Sequence, residues 1–537
     1  MDKRKLIGAG YVIIAVYVLY GIFFWFIPEF NPDEFWTGSR AVFFSHHGRI
    51  GEPMLPASVS PYFGSLFTIV PGSSLMGIIK TGFLAGVYKL TGGDIHHCQR
   101  IVSFIFSMLL CVVTFQLSIV AGFKRFISFL AVIILIITPE FFSQIHTERP
   151  ELLVAIFFIV GLILFLKIIS EEKKSRKTLL LIVAAVLSTL PCILVHSSCI
   201  VIPGTFGILY LIYERKNIIS LNTILYGGIS LCIMFWFYHI LTAPAIYAES
   251  VGGGNFLKFQ SPPIMRGLNQ VILLPWFFYN KLCDDTILSR PVSLMFLLIA
   301  IGAFLYFRKR TEASGEKKVF TIFVIAIICA GLILTLLSGS YGNYLIVIYP
   351  LVAILLAYAI NFILAQQKEK RVVYIIGIMF LFLCINFTGI QVKINSKKEF
   401  EQLNREVSAA IQGNDRSVVG MPLYYLSFTN RNYYSYGWLN PYVGFKGQSF
   451  AETIGHLSAT DIIIDDVFVS KAYVDRGAAW TDSMFSFLNN NCFVKKTIAT
   501  DYFMGKVVRD AKFYPSVWLY PEFKKSYLRK IVIYSVN

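Results

Sequence analysis

Asp33 and Glu34 stand side by side in the run Asn31-Pro32-Asp33-Glu34-Phe35-Trp36, directly after the first long apolar segment of the chain. A second ionisable group, His146-Thr147-Glu148-Arg149-Pro150-Glu151, separates two further apolar segments. Charge beside hydrocarbon is costly unless it is solvated, paired or used, so acids at a membrane surface are functional candidates from the outset. A carboxylate placed there can act as a general base, taking the proton of an attacking hydroxyl. Two carboxylates in one site raise one pKa unless a cation comes between them. Each group also has a structural reading. Asp33 can cap a short interfacial helix by accepting from its backbone N–H groups. Glu148, Arg149 and Glu151 can form a solvated ion-pair turn, with Pro150 opening a helix and the acids favoured in its first turn.

What holds these groups is legible in the composition. Of 537 residues, 56% are hydrophobic, and the mean hydropathy is +0.65. Apolar runs of about 20 residues match a bilayer core of about 30 Å, so the chain reads as a polytopic α-helical membrane protein. The net charge of +17 lies largely in short loops between those runs. That placement sets membrane orientation and calls for no nucleic-acid partner. Nine cysteines are present, and Cys111, Cys192, Cys232, Cys329 and Cys384 sit inside apolar runs, where a thiol behaves as a small hydrophobe. No CxxC or Cys/His spacing supports zinc or redox chemistry. The pairs His46-His47 and His96-His97 cannot face one site on a helix, and read as interface polar residues. Lys3-Arg4-Lys5 opens an apolar run with no small-residue cleavage site, which predicts a retained first helix.

About eleven spans satisfy the length criterion: 7–27, 101–122, 126–146, 152–169, 178–195, 198–213, 221–241, 291–307, 319–337, 343–364 and 372–391. Segment 74–91, which carries Lys80 and Lys89, decides the orientation of everything after it. If it lies in the interface, the basic loops at 124–125, 173–177, 215–216, 308–310 and 368–371 all share the side of Lys3-Arg4-Lys5. If it spans, all of them flip and the positive-inside rule fails throughout. The interfacial reading is the consistent one. It puts loop 28–100, with Asp33 and Glu34, on the same outer face as Glu148 to Glu151. It also puts loop 242–290 and the C-terminal region there. Loop 242–290 holds Gly252-Gly253-Gly254 and the aromatic run Trp276 to Tyr279, an interfacial belt or a substrate loop. From 396 to 537 charges mix with strand-like runs at 417–420, 462–464 and 506–508 and an amphipathic helix at 399–411, predicting a small α/β domain. Residues 1–395 form the membrane domain in this reading. No internal repeat appears, which counts against a secondary transporter.

The order of these parts resembles the GT-C membrane glycosyltransferases, as in the protein O-mannosyltransferase and aminoarabinose-transferase families. NPDEFW at 31–36 is similar to their Pro-Asp-Glu signature, and TERPELL at 147–153 to their second acidic motif before the fourth span. The short spans around Val195-His196-Ser197-Ser198 resemble their fifth and sixth helices. Asn343-Tyr344 with Tyr349-Pro350 resembles a late-helix pattern. The resemblance covers about residues 1–390. One departure stands out: the Lys-Pro-Pro-Leu run of the aminoarabinose transferases is replaced by Val70-Pro71-Gly72-Ser73.

The resemblance implies an inverting transfer of sugar from a polyprenyl-phosphate donor to a lipid, glycan or protein acceptor. Asp33 would be the base. Glu34, Glu148 and Glu151 would orient the acceptor, tune Asp33 or share a divalent cation with it; no other cofactor is implied. A leaving phosphate needs cations or donors, and Arg149, Arg266, Lys281 and Arg290 are the outer-face candidates. Arg is the better fit for a bidentate phosphate contact. Tyr344 would contact phosphate or sugar. His196 would touch a substrate or satisfy a tight turn. The expected location is the bacterial inner membrane. The competing readings are a glycan polymerase or ligase and a transporter or flippase of lipid-linked sugars; a scaffold explains neither acidic cluster.

Overall fold

The computed structural model describes residues 3–23, 32–48, 54, 78–92, 95–138, 141–142, 149–170, 199, 201–213, 314–338, 346–365, 374–379, 381, 384, 402–413, 415–428, 431–435, 448–465, 468–469, 472, 478–500 and 530–537. Among the described residues, nine helices come first: α1 (Lys3–Phe23), α2 (Pro32–His47), α3 (Ile78–Thr91), α4 (Ile95–Val120), α5 (Arg125–Ile137), α6 (Glu151–Ser170), α7 (Val201–Tyr213), α8 (Ser314–Ser338) and α9 (Tyr349–Ala365). Among the described residues, α1, α4 and α6 are long and apolar enough to cross a membrane. Spans expected at 178–195, 221–241 and 291–307 lie outside the described residues, as does most of 372–391, which is helical at 374–379.

Helix ends follow local chemistry. Gly92, at φ +60°, ends α3, its N–H donating to Tyr88 O at 3.0 Å. Helix α4 then starts at Ile95, earlier than the span expected at 101–122. It closes in a Schellman turn: Gly122, at φ +86°, donates to Ile119 O, and Phe123 donates to Ser118 O. Only a residue without a Cβ takes that conformation cheaply. The short link makes α5 an antiparallel neighbour of α4, tied to it by the Ser128–Ser118 hydroxyl bond of 2.9 Å. Helix α5 stops at Ile137 rather than near 146. Thr138 precedes Pro139 and is extended, as the proline ring demands.

Helix α3, with 14 residues, is about 21 Å long, short of a bilayer core. It packs on α2 and α4. The bundle core is built where α5 meets α9, α4 and α1, where α4 meets α6, and where α7 meets α8.

A second, separate core belongs to the C-terminal residues. It comprises α10 (residues 402–410), β1 (Ser417–Gly420), a 3-10 helix η1 (Pro422–Ser427), β2 (Asn432–Ser435), α11 (Phe450–His456), β3 (Asp461–Ile464), α12 (Ala478–Asn491), β4 (Cys492–Ala499) and β5 (Lys530–Val536). The sheet order is β2-β1-β3-β5-β4. Strand β1 pairs in parallel with β2 and β3, whereas β5 runs antiparallel to β3 and β4. Strands β1 and β3 occupy two of the runs read as strands in the sequence; 506–508 lies outside the described residues. The sheet unit meets the bundle region through η1, which packs on α2.

Candidate active site

Helix α2 opens with Pro32, whose fixed φ suits a first helical position. Asp33 and Glu34 follow in its first turn. They are therefore inside the helix, not preceding it as a cap. That turn is where exposed N–H groups and the helix dipole favour carboxylates. Ser39, Ala41 and Val42 of α2 are buried. Gly38 brings α2 against the start of α4: a Cβ there would sit 3.1 Å from Gln99 Nε2 and 3.4 Å from Ile95 Cγ1. Gly38 lies five residues after Asp33, about 7.5 Å along the helix. Gln99 in turn shares a hydrogen bond of 3.1 Å with His96 Nδ1. The contact is close and polar.

The second motif is ordered around an ion pair. Pro150 O accepts the first bonds of α6, from Leu153 and Val154, so Glu151 is the first helical residue. Arg149 reaches across to it with two donors, Nη2 to Oε1 at 2.9 Å and Nε to Oε2 at 3.1 Å. The Glu151 side chain is 1% exposed and that of Arg149 12%. This is a buried fork, not a solvated turn. One edge of the guanidinium, Nε with Nη2, is engaged with Glu151.

Helix α4 joins the two motifs, because both α2 and α6 pack on it. Two side chains missed by sequence reasoning as site candidates stand in the same neighbourhood. Lys80 of α3 and Arg100 of α4 are each 1% exposed. A buried cation is tolerated only beside charge or dipoles that compensate it. The available signal was a lysine inside an apolar run and an arginine just ahead of a span. Arg100 is drawn inside because α4 starts five residues before it. Glu148, His196, Arg266, Lys281, Arg290 and Tyr344 lie outside the described residues. Tyr349 and Pro350, from the same motif as Tyr344, open α9, with Tyr349 buried. Among the described residues, no group of three His, Cys, Asp or Glu side chains is placed to hold a metal ion.

By sequence alone the chain matches no family model and no curated protein. By structure it is similar to ArnT from Cupriavidus metallidurans bound to undecaprenyl phosphate. The TM-score is 0.56 at 11% identity, covering 97% of this chain and 98% of that one. It is similar as well to the oligosaccharyltransferase AglB from Archaeoglobus fulgidus in complex with an inhibitory peptide and a dolichol-phosphate. There the TM-score is 0.58 at 10% identity, covering 100% and 89%. The chain has the GT-C fold. Likeness at this identity is a statement about architecture, spread over nearly the whole chain, and the acid-bearing α2 is part of the fold so matched.

Proposed function

We propose that the chain is an inverting glycosyltransferase that moves a sugar from a polyprenyl-phosphate donor to a lipid, glycan or protein acceptor at the outer face of a bacterial inner membrane. The supporting observation is the arrangement around α4. Helix α2, whose first turn bears Asp33 and Glu34, and helix α6, which opens at the Arg149–Glu151 pair, both pack on that helix. The fold is shared with one protein solved with undecaprenyl phosphate and another solved with dolichol-phosphate.

In the reaction, Asp33 takes the proton of the acceptor hydroxyl as its oxygen attacks the anomeric carbon. The new glycosidic bond forms on the face opposite the phosphate. The carbon–oxygen bond to phosphate breaks, and polyprenyl phosphate leaves with the electron pair. Cations stabilise that developing charge. Lys80 and Arg100 join Arg149, Arg266, Lys281, Arg290 and Tyr344 as candidates, with His196 as a candidate substrate contact. Glu34, Glu148 and Glu151 order the acceptor side, or share a divalent cation with Asp33. The sheet unit helps present the acceptor. Transfer of a whole glycan is the second reading, supported by the likeness to an oligosaccharyltransferase.

The test is direct. Purified protein is incubated with radiolabelled polyprenyl-phosphate sugars and a membrane extract as acceptor source, and released polyprenyl phosphate is measured. Release above the no-enzyme level supports transfer. Movement of label across a proteoliposome membrane without release would replace the enzyme with a flippase.

A further inference from the structure

Met54 lies in the chain between α2 and α3, yet its side chain belongs to the core of the sheet unit. It is fully buried there among residues such as Val418, Tyr424 and Phe428. Its backbone is tied in as well: Ser435 N–H, at the end of β2, donates to Met54 O at 3.0 Å. A second connection is η1, which follows β1 and packs on α2 itself. Both connections leave from one place, the carboxyl edge of the parallel strands β2, β1 and β3.

In open α/β sheets, ligands settle at that edge where the strand order reverses. Here the reversal falls at β1, with β2 on one side and β3 on the other. The crevice is filled by the chain's own residues. Tyr424 of η1 donates its hydroxyl to Asp465 Oδ2 at 2.9 Å, and the other carboxylate oxygen accepts from Phe468 N–H at 2.6 Å. Asp465 is fully buried just after β3. Tyr433 of β2 donates to Met421 O, and its ring lies parallel to that of Phe428. So η1 is fixed to the sheet by buried, directional bonds before it meets α2. Buried polar networks with every partner present are rigid and specific.

We propose that Met54, Tyr424 and Asp465 are positioning residues that latch the sheet unit onto α2, so that the sheet as well as the bundle fixes the placement of the acid-bearing turn. This rests on the reading of Asp33 as the base. None of the three touches substrate; they act through η1 and the α2–α3 connection. Turnover then depends on the sheet unit even when donor binding in the bundle does not.

The experiment compares wild type, Tyr424→Phe, Met54→Ala and Met54→Leu by hydrogen exchange over peptides 36–45 and by transfer kinetics with a polyprenyl-phosphate sugar. If the latch holds, α2 amides in Tyr424→Phe and Met54→Ala exchange about ten-fold faster or more. Their kcat falls by about ten-fold or more while the donor KM stays within about two-fold. Met54→Leu, which refills the pocket, restores both. Faster exchange confined to the sheet peptides, with α2 protection and kcat unchanged, would overturn the latch. The arms separate the two hypotheses. A wild-type protein without transfer activity sinks the enzyme reading, whereas the exchange of α2 still decides whether the sheet unit holds that helix. Should Met54→Ala fail to fold, Tyr424→Phe keeps the volume and decides alone.

Discussion

Asp33 is one carboxylate in the first turn of one helix, and its chemistry can be separated from its structural value. Asp33→Asn keeps size and most hydrogen bonding but removes the basic oxygen. Turnover is expected to fall by about two to four orders of magnitude, the usual range for general acid–base catalysis. Donor binding and melting temperature should hardly move. Glu34→Gln should cost less, because neighbouring residues on a helix project in different directions. Wild-type turnover in Asp33→Asn would end the base assignment. Arg149 needs a different argument, because its guanidinium is bound to the buried Glu151 carboxylate. Arg149→Ala strips a buried charge of its fork, at a cost of about 3 kcal/mol. Loss of activity in that variant alone would be ambiguous. The pair Arg149→Met with Glu151→Leu removes both charges, and replacing a buried ion pair by apolar volume is often near neutral. Stability recovered with transfer still lost would assign the pair a part in the reaction. Recovery of both would make it a structural fork. The sequence showed both residues and their spacing, but not the burial that turns an exposed pair into a costly one. Lys80 and Arg100 were overlooked as site candidates for the same reason: their enclosure comes from the packing of one helix on another, which residue spacing along a single run does not show.

Between helices, the spacing of α2 from α4 is set by Gly38. A methyl group there meets Gln99 Nε2 at 3.1 Å, so Gly38→Ala requires only that a flexible amide yield by a few tenths of an ångström. Alanine also gains about 1 kcal/mol of helix propensity over glycine, enough to offset the crowding. Near-normal activity and stability are expected. Gly38→Val adds branched bulk on the same contact and must move α2 away from α4. A displacement near 1 Å at a reacting group costs about a hundred-fold. The expected signature is a large fall in kcat with a small fall in melting temperature. Equal turnover in glycine and valine proteins would show that this spacing does not govern the chemistry. Helix existence was legible in the apolar runs, whereas helix ends were not. The span expected from 101 began after the last charge, but the backbone begins α4 at Ile95, beyond the glycines at 92 and 93. The span expected to reach 146 stops at Ile137 because Pro139 excludes its predecessor from the helix. Strand β2, reading Asn-Tyr-Tyr-Ser, lacks the β-branched run that marks β1 and β3. Its pairing with β1 depends on a partner already in place.

For the whole molecule, the decisive quantity is sidedness, and it came from loop charge rather than from any motif. Loop charge predicts that the acid motif and the C-terminal region share one face. The structure joins them physically, through η1 on α2 and through Met54 in the sheet core. What loop charge could not show was that contact, because burial of a single methionine from a loop has no periodic signature. Orientation relative to the membrane can be read with single cysteines and an impermeant thiol reagent in whole cells, the outer membrane permeabilised where there is one. Ser483, exposed on α12, is the reporter for the sheet unit. Ser175, in the basic loop 173–177, is the reporter for the opposite side. The native thiol that directly follows α12, Cys492, is half-buried, and burial pushes it up to about 11. At pH 7.5 to 8 (about three units lower) it holds little of the reactive thiolate. Signal above the native background therefore belongs to the introduced cysteine. Ser483→Cys should label in intact cells and Ser175→Cys only after lysis. The reverse pattern would put the acid-bearing helix, the sheet unit and the proposed transfer on the cytoplasmic side. The donor's sugar would then have to be presented at the inner leaflet.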